Sequence, residues 1–377
     1  MKKTLLGTTA LVSAGLVAGP ALASDPLTVT VGGSLVTGFY FVDNDSPVAG
    51  VDYDDTKVAL VARNIDIVAE GTLDNGLVAG AALKLQIGDD ENNALNTGDD
   101  ATFSEAYAYL EGGFGRMELG ATDGAAFKMH YSSPWFVPGN GVDSPNIYNI
   151  QNLAGSISSR TSTYSLLAED DNKISYFTPR LAGFQLGASF TPDTANDPVA
   201  NGFGVTRTNS STEDVFEIAA NYAGELGGVS VGADVFYVTG EAALVGADDP
   251  EEVGAGLSLG FAGFTLGGAY TSVENVVAGT QSTVTVASRG NETDTWTVGL
   301  AYGTGPWTVG VAYLESEAEN NLGADIGSNS FLQVGGGYSL GAGVDLGLDV
   351  QFIEDLAGAA AREVESTSAG IVLAISF

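Results

Sequence analysis

From residue 27 onward, apolar residues recur at every second position. Trp296, Val298, Leu300 and Tyr302 alternate with Thr295, Thr297, Gly299 and Ala301. Trp307, Val309, Val311 and Tyr313 alternate with Thr308, Gly310 and Ala312. Val344, Leu346, Leu348, Val350 and Phe352 alternate with Asp345, Gly347, Asp349 and Gln351. A period of two gives each segment one apolar face and one small or polar face, which is the pattern of strands. Helix caps and 3.6-residue stripes are scarce, so the chain is expected to be almost all β. One hairpin stands out: Phe103 to Glu111, the turn Gly112-Gly113-Phe114-Gly115, then Arg116 to Gly120. After it the alternation stops until about Asp171. So long a stretch without a period, inside a compact fold, is usually functional or disordered. The pattern therefore predicts a barrel wall and one long loop that folds into its lumen and sets what passes.

Connections fall into two kinds. Short ones lie near 74–76, 112–115, 180–183, 224–228, 262–263, 304–305 and 341–343. Long ones cover roughly 43–56, 88–101, 121–171, 192–213, 241–251, 275–293, 317–328 and 355–365. Short and long alternate strictly, which implies about sixteen antiparallel strands with both termini on the short-turn side. That asymmetry belongs to an outer-membrane barrel, with short periplasmic turns and longer external loops. Strands of about ten residues suit a tilted crossing of the bilayer. Tyr222, Tyr237, Tyr270, Tyr302, Tyr313 and Tyr338 share the apolar register, with Phe184, Phe264 and Trp307 expected at the opposite strand ends. Two interfacial belts of rings would produce this. A soluble sandwich would want larger residues on its inner face than the Gly, Ser, Thr, Asp and Gln found here.

Composition narrows the function. The 377 residues hold 52 Gly, no Cys and a single His, so cysteine frameworks and histidine-cluster metal sites are excluded. The formal net charge is -34, the wrong sign for a nucleic-acid binder. A mean hydropathy of +0.15 beside that acidity fits apolar walls carrying acidic loops. At the N-terminus, Lys2 and Lys3 precede an apolar run and Ala21-Leu22-Ala23, which reads as a signal peptide over 1–23 with the barrel in 24–377. A membrane anchor is the competing reading, but the run is short for one. Removing Lys2 and Lys3 takes the charge from -34 to -36.

The C-terminus alternates to a final aromatic: Ile371, Leu373, Ile375, Phe377. This resembles the closing strand of Gram-negative outer-membrane proteins, whose terminal aromatic is read by the barrel-assembly machinery. Residues 24–377 as a whole resemble a Gram-negative general porin of the α-proteobacterial type. The likeness is carried by Glu105 to Gly120, by Ile174-Ser175-Tyr176-Phe177-Thr178-Pro179-Arg180-Leu181-Ala182-Gly183-Phe184-Gln185-Leu186-Gly187, and by Phe377. It implies a transmembrane antiparallel β-barrel of sixteen strands in the outer membrane, usually a homotrimer, with the third external loop folded inward as a constriction. The count above independently puts the long loop after the fifth strand. The likeness is poor in the loops and says little about the solute.

No catalytic constellation is visible, and no enzyme activity or required cofactor is expected. His130 has no predictable partner and reads as a plain polar contact. Ser158, Ser159 and Ser162 lack the strand-turn-helix setting of a nucleophile elbow. Acidic runs are the main chemical signal: Asp52, Asp54 and Asp55; Asp89, Asp90, Glu91, Asp99 and Asp100; Glu169, Asp170 and Asp171; Asp248, Asp249, Glu251 and Glu252. They can concentrate cations at the external mouth, bind Ca²⁺ or Mg²⁺ and so bridge loops or lipopolysaccharide, or form a merely solvated surface. By register, Lys84, Gln86, Glu105, Arg116, Glu118, Glu217, Asn221, Asp234, Asp345 and Asp349 face inward. The porin likeness implies basic residues on the wall opposite acids on the loop. Arg63, Lys84 and Arg116 are the candidates for the wall, and Asp123, Asp143 and Glu169 for the loop. Arg116 can equally sit at the periplasmic rim, and the strand of Arg63 changes phase near Asn64, as at a bulge. The expected function is a water-filled, cation-preferring channel for passive diffusion of small hydrophilic solutes and ions. The alternative is a structural or adhesive barrel whose acidic loops bind divalent cations or lipopolysaccharide.

Overall fold

The computed structural model describes residues 27–45, 55–87, 101–143, 159–194, 212–276, 289–357 and 362–377. The expected signal peptide at 1–23 lies outside them, as do Asp52, Asp54, Asp89, Asp90, Glu91, Asp99 and Asp100. The first half of the wall is β1 (Thr28–Asp45), β2 (Asp55–Thr72), β3 (Val78–Ile87), β4 (Ala101–Gly112), β5 (Gly115–Ala121), β6 (Asn172–Phe177), β7 (Phe184–Asp193) and β8 (Thr212–Leu226). The second half is β9 (Val229–Ala242), β10 (Glu251–Phe261), β11 (Phe264–Glu274), β12 (Glu292–Thr304), β13 (Trp307–Glu319), β14 (Asp325–Gly341), β15 (Val344–Ala357) and β16 (Arg362–Ser376). One helical turn, α1 (Ala125–Lys128), interrupts the loop after β5. Each strand pairs antiparallel with its sequence neighbours, and β1 pairs with β16 to close the barrel. Closure leaves no unpaired strand edge, which a bilayer requires.

The alternation read from the sequence is the inside-outside pattern. Leu348, Ile371 and Leu119 are exposed on the outer face, while Asp349, Gln351 and Ser368 are buried within. Three short turns run through an Ala-Gly pair with both residues at positive φ: Ala182 and Gly183, Ala262 and Gly263, Ala342 and Gly343. That is the twist a two-residue hairpin needs. The terminal residue completes the ladder: Phe377 N donates to Gly33 O at 3.0 Å and Gly33 N to Phe377 O at 2.9 Å.

Three details differ from the sequence reading. Tyr222, Tyr302 and Tyr338 pair directly with Phe184, Phe264 and Trp307, at ring separations of 4.9, 4.5 and 4.4 Å, so these six rings form one belt at the short-turn end. Antiparallel pairing puts a strand's end beside its neighbour's start, which places both members of each pair at one interface. Tyr237, Tyr270, Trp296 and Tyr313 lie toward the other end. Second, the connections expected at 317–328 and 355–365 shrink to 320–324 and 358–361, because β13 to β16 keep pairing through polar residues. Backbone ladders outlast the apolar pattern wherever the strands project beyond lipid. Third, the phase change in β2 is a bulge at Val61, between the Thr37–Leu60 and Val36–Ala62 pairs. It places Arg63 opposite outward Leu35, off the lumen wall. A second bulge leaves Ser104 unpaired and turns Glu105 inward opposite Lys84.

Candidate functional site

The loop between β5 and β6 lines the inside of the barrel. Its outgoing arm follows a row of inward glycines. Gly187 of β7 faces Met129, Gly232 of β9 and Gly256 of β10 face Tyr131, and Gly267 of β11 faces Ser132. Gly299 of β12 faces Pro134, Gly310 of β13 the Phe136 ring, Gly335 of β14 Val137, and Gly347 of β15 Pro138. A side chain at any of these would occupy space the loop fills. Phe136, Val137 and Val142 pack with Val36, Tyr40, Leu314, Phe331 and Ile353 in an apolar core inside the lumen. The returning arm runs nearer the external end. Ser159 bonds Ser316, Thr163 O accepts from Thr271, and Arg160 pairs with Glu252 at 2.9 Å. Among the described residues the loop thus covers the wall from about β6 to β15 and reaches β1, leaving β2 to β5 open.

Inward carboxylates of the covered wall are its anchors. Glu217 accepts from Ala126 N at 3.0 Å, beside Ser189, which accepts from Ala125 N at 2.8 Å. Asp234 accepts from Tyr131 N at 2.7 Å and faces His130 Nδ1 at 3.0 Å. Asp349 gathers Tyr40, Asn140, Gln333 and Gln351. Glu217, Asn221, Asp234 and Asp349 therefore point inward as the register requires but are buried beneath the loop. His130 is buried too, between Asp234 and Thr163, and edge-on to Tyr164 and Phe236. Asp143 is not on the loop's open face. It is 1% exposed and ties the two arms together, accepting from Ser132, from Ser162 at 2.8 Å, and from Thr163 through both amide and hydroxyl.

The open wall carries a mixed charge network. Lys84 pairs with Glu105 at 3.1 Å, and Glu105 accepts from Thr122 at 2.7 Å. Arg116 binds Glu118 at 2.7 Å and Glu111 at 3.2 Å, and lies 3.8 Å from the centre of the Tyr109 ring. Lys128 of the loop reaches Glu118 at 2.6 Å and Thr122 at 2.8 Å. Carboxylates of Glu105, Asp123 and Asp170 converge within 4.8 Å of one another. Burial, then the neighbouring Glu105 charge, raises Asp123 to about 6; burial, then Asp123 and Glu105, raises Asp170 to about 8. Such a cluster has the oxygen chemistry for a cation, with Lys84, Lys128 and Lys173 already close enough to act on the Asp123 charge. Opposite charges are thus interleaved rather than split between a basic wall and an acidic loop. Lys84 and Arg116 have acids beside them on their own wall, and the loop contributes the base Lys128.

Three residues were missed. Lys173 sends its ammonium to the carbonyls of Thr122, Ala168, Glu169 and Asp171, clamping both ends of the loop. Its signal was present: Lys173, Ser175 and Phe177 alternate with outward Ile174 and Tyr176. Lys128 and Arg160 lie where no period exists, and nothing in the sequence points to their partners. Of the external acids, Asp248 pairs with Arg289 at 2.7 Å, which holds its carboxyl below the ordinary range, and Asp249 accepts from Ala242 N. Asp55 opens β2 opposite Val42.

A family description of Gram-negative porins matches residues 7–357. Outer-membrane expressed OmpT of Vibrio cholerae superimposes with a TM-score of 0.62 at 15% identity, over 94% of this chain and 99% of that one. Salmonella typhi OmpF in complex with daunomycin gives 0.59 at 14%, over 93% and 98%. A porin refined at 1.8 Å resolution gives 0.55 at 17%, over 93% and 100%. At these identities the likeness is one of fold. An uncharacterized protein of Rickettsia conorii is 27% identical over 139 residues, which is 32% of this chain and 30% of the relative. One from Rickettsia typhi is 28% identical over 159 residues, 38% of this chain and 33% of the relative. The chain therefore matches about a third of the length of these relatives.

Proposed function

We propose that this chain, which belongs to the Gram-negative porin family, passes small hydrophilic solutes and ions by passive diffusion and prefers cations. An outer-membrane barrel is the architecture; the solutes and the preference are the inference. The observation that carries it is the one-sided packing of the long loop. Glycines and carboxylates hold it against β7 to β15, and the wall left open bears Lys84, Glu105, Arg116 and Glu118. A path lined by charge on one side suits hydrated solutes, not apolar ones. Cation preference is supported by the convergence of Glu105, Asp123 and Asp170 beside that path, and by the -34 net charge. Flux follows the gradient, with no catalytic step. A homotrimer is part of the proposal: in-vitro folded OmpT of Vibrio cholerae was solved in a trimer form and shares this fold at a TM-score of 0.62. Signal-peptide cleavage after Ala23 and reading of Phe377 by the assembly machinery belong to it as well.

Swelling of liposomes holding the purified barrel tests this. Swelling in neutral sugars is expected to fall steadily from a pentose to a trisaccharide. Folded, inserted protein that admits no pentose would contradict it and favour the structural barrel. That alternative draws on the acidic loops as divalent-cation sites. Among the described residues, Asp248 already has Arg289 as its counter-ion.

A further inference from the structure

We propose that a cavity beneath the loop, at the short-turn mouth, is a resting site for small organic carboxylates in transit. The inference rests on the channel reading above. The cavity has a volume of about 360 Å³ and is lined by three cations, Arg116, Lys128 and Arg180, against one carboxylate, Glu118. The whole chain has the reverse balance, 13 Lys and Arg against 47 Asp and Glu. The cations therefore make a local island of positive potential in an acidic protein. They are also unequally compensated. Glu118 spends one oxygen on Arg116 at 2.7 Å and the other on Lys128 at 2.6 Å, and Glu111 adds a second contact to Arg116 at 3.2 Å. The Arg180 guanidinium donates to neutral acceptors: Gly183 O at 2.7 Å, Gln185 Oε1 at 2.7 Å and Asn221 Oδ1 at 2.9 Å. These fix the plane of the guanidinium without cancelling its charge; with both Nη2 protons spent, Nε–H and the second Nη1 proton are left to donate single charge-assisted bonds to a carboxylate.

Met129, Tyr131 and Phe177 also line the cavity and give it apolar surface. A lining that combines cations with apolar surface suits a solute that carries a carboxylate together with a ring or short chain. The volume is at the small end of the range for small-molecule sites. Position gives the site its use. Arg180 stands in the β6–β7 turn and Arg116 follows the β4–β5 turn, so the island lies on the short-turn side of the loop. A mouth that repels anions slows them; a weak site beyond the loop gives those that pass a step that is easy to enter and easy to leave.

The test is open-channel current of the reconstituted protein in KCl with benzoate or its neutral analogue benzyl alcohol added. Benzoate is expected to reduce the current saturably, with half-effect on the order of millimolar, and benzyl alcohol to leave it unchanged. Arg180→Gln is expected to weaken the benzoate effect about tenfold or more, as loss of a charge-assisted hydrogen bond does, and Arg180→Lys to weaken it less. Equal action of benzoate and benzyl alcohol on the wild type would overturn the site, even if the variant fails to fold. Undiminished benzoate action on Arg180→Gln would overturn it too. Absence of conductance steps in every sample would instead defeat the channel reading.

Discussion

Asp123 and Asp170 face Glu105 across the open side of the loop, and both stay protonated above the ordinary carboxylate range, to about 6 and about 8. Raising the pH from 6 to 9 therefore adds negative charge beside the open path, where Glu105, Asp123 and Asp170 converge. Cation preference should increase over that interval, read as a larger reversal potential in a KCl gradient, and Asp170→Asn should remove most of the increase. The same shifts set a sign for stability. Between about pH 4 and 8 the folded chain holds protons that the unfolded chain releases, so stability falls as pH rises through that window. Glycines make the other residue-scale prediction. A valine in place of Gly310 would overlap the Phe136 ring. Overpacking of that kind costs about 1–3 kcal/mol, so Gly310→Val should lower the thermal midpoint of the barrel. A valine in place of Gly305, whose Cβ position is empty, lacks that clash and meets only the strain of a positive φ. Register made Lys84 legible in the sequence, and Glu105 too, because the alternation through Tyr107 and Tyr109 sets its face on the far side of the Ser104 bulge. Arg63 was not legible, because one extra residue at the β2 bulge reverses the face of everything beyond it.

The loop is the element on which function turns, and its anchors are wall carboxylates rather than loop acids. Asp234 is the clearest case, holding the Tyr131 amide and the His130 ring at once. Asp234→Ala leaves both without their partner. Leaving buried hydrogen-bonding groups unsatisfied costs about 1–3 kcal/mol each, spent here on the loop while the ladder of β1 to β16 stays whole. Single-channel records of Asp234→Ala should show unchanged barrel assembly with marked open-state flicker; a quiet trace of wild-type amplitude would show that the loop does not depend on this anchor. Strands were legible because each needs only a two-residue period. The loop's place was legible from the point where that period ends. Its path was not, since a segment without a period carries no statement of which wall it touches. The path is written instead in the strands: Gly299, Gly310, Gly335 and Gly347 occupy the inward register where an ordinary lumen wall could have carried polar side chains.

At the scale of the whole molecule, closure and acidity act together. The last residue seals the barrel through its paired bonds to Gly33, and deletion of Phe377 should reduce the yield of folded, heat-resistant barrel; full yield would show that closure relies on the rest of β16 alone. The sixteen-strand closure was legible from the strict alternation of short and long connections, whereas the lengths at 320–324 and 358–361 were hidden by polar residues that still pair. Among the described residues, the inward carboxylates divide into anchors buried under the loop, such as Glu217, Asp234 and Asp349, and acids beside the open path, such as Glu105, Asp123 and Asp170. Only the latter can select ions. The most direct test is the zero-current potential of the purified protein in a planar bilayer under a tenfold KCl gradient at neutral pH. Discrete conductance steps with a cation-selective potential are the predicted result, and discrete steps with an anion-selective potential would contradict the assignment of the path to the carboxylates of Glu105 and Asp123.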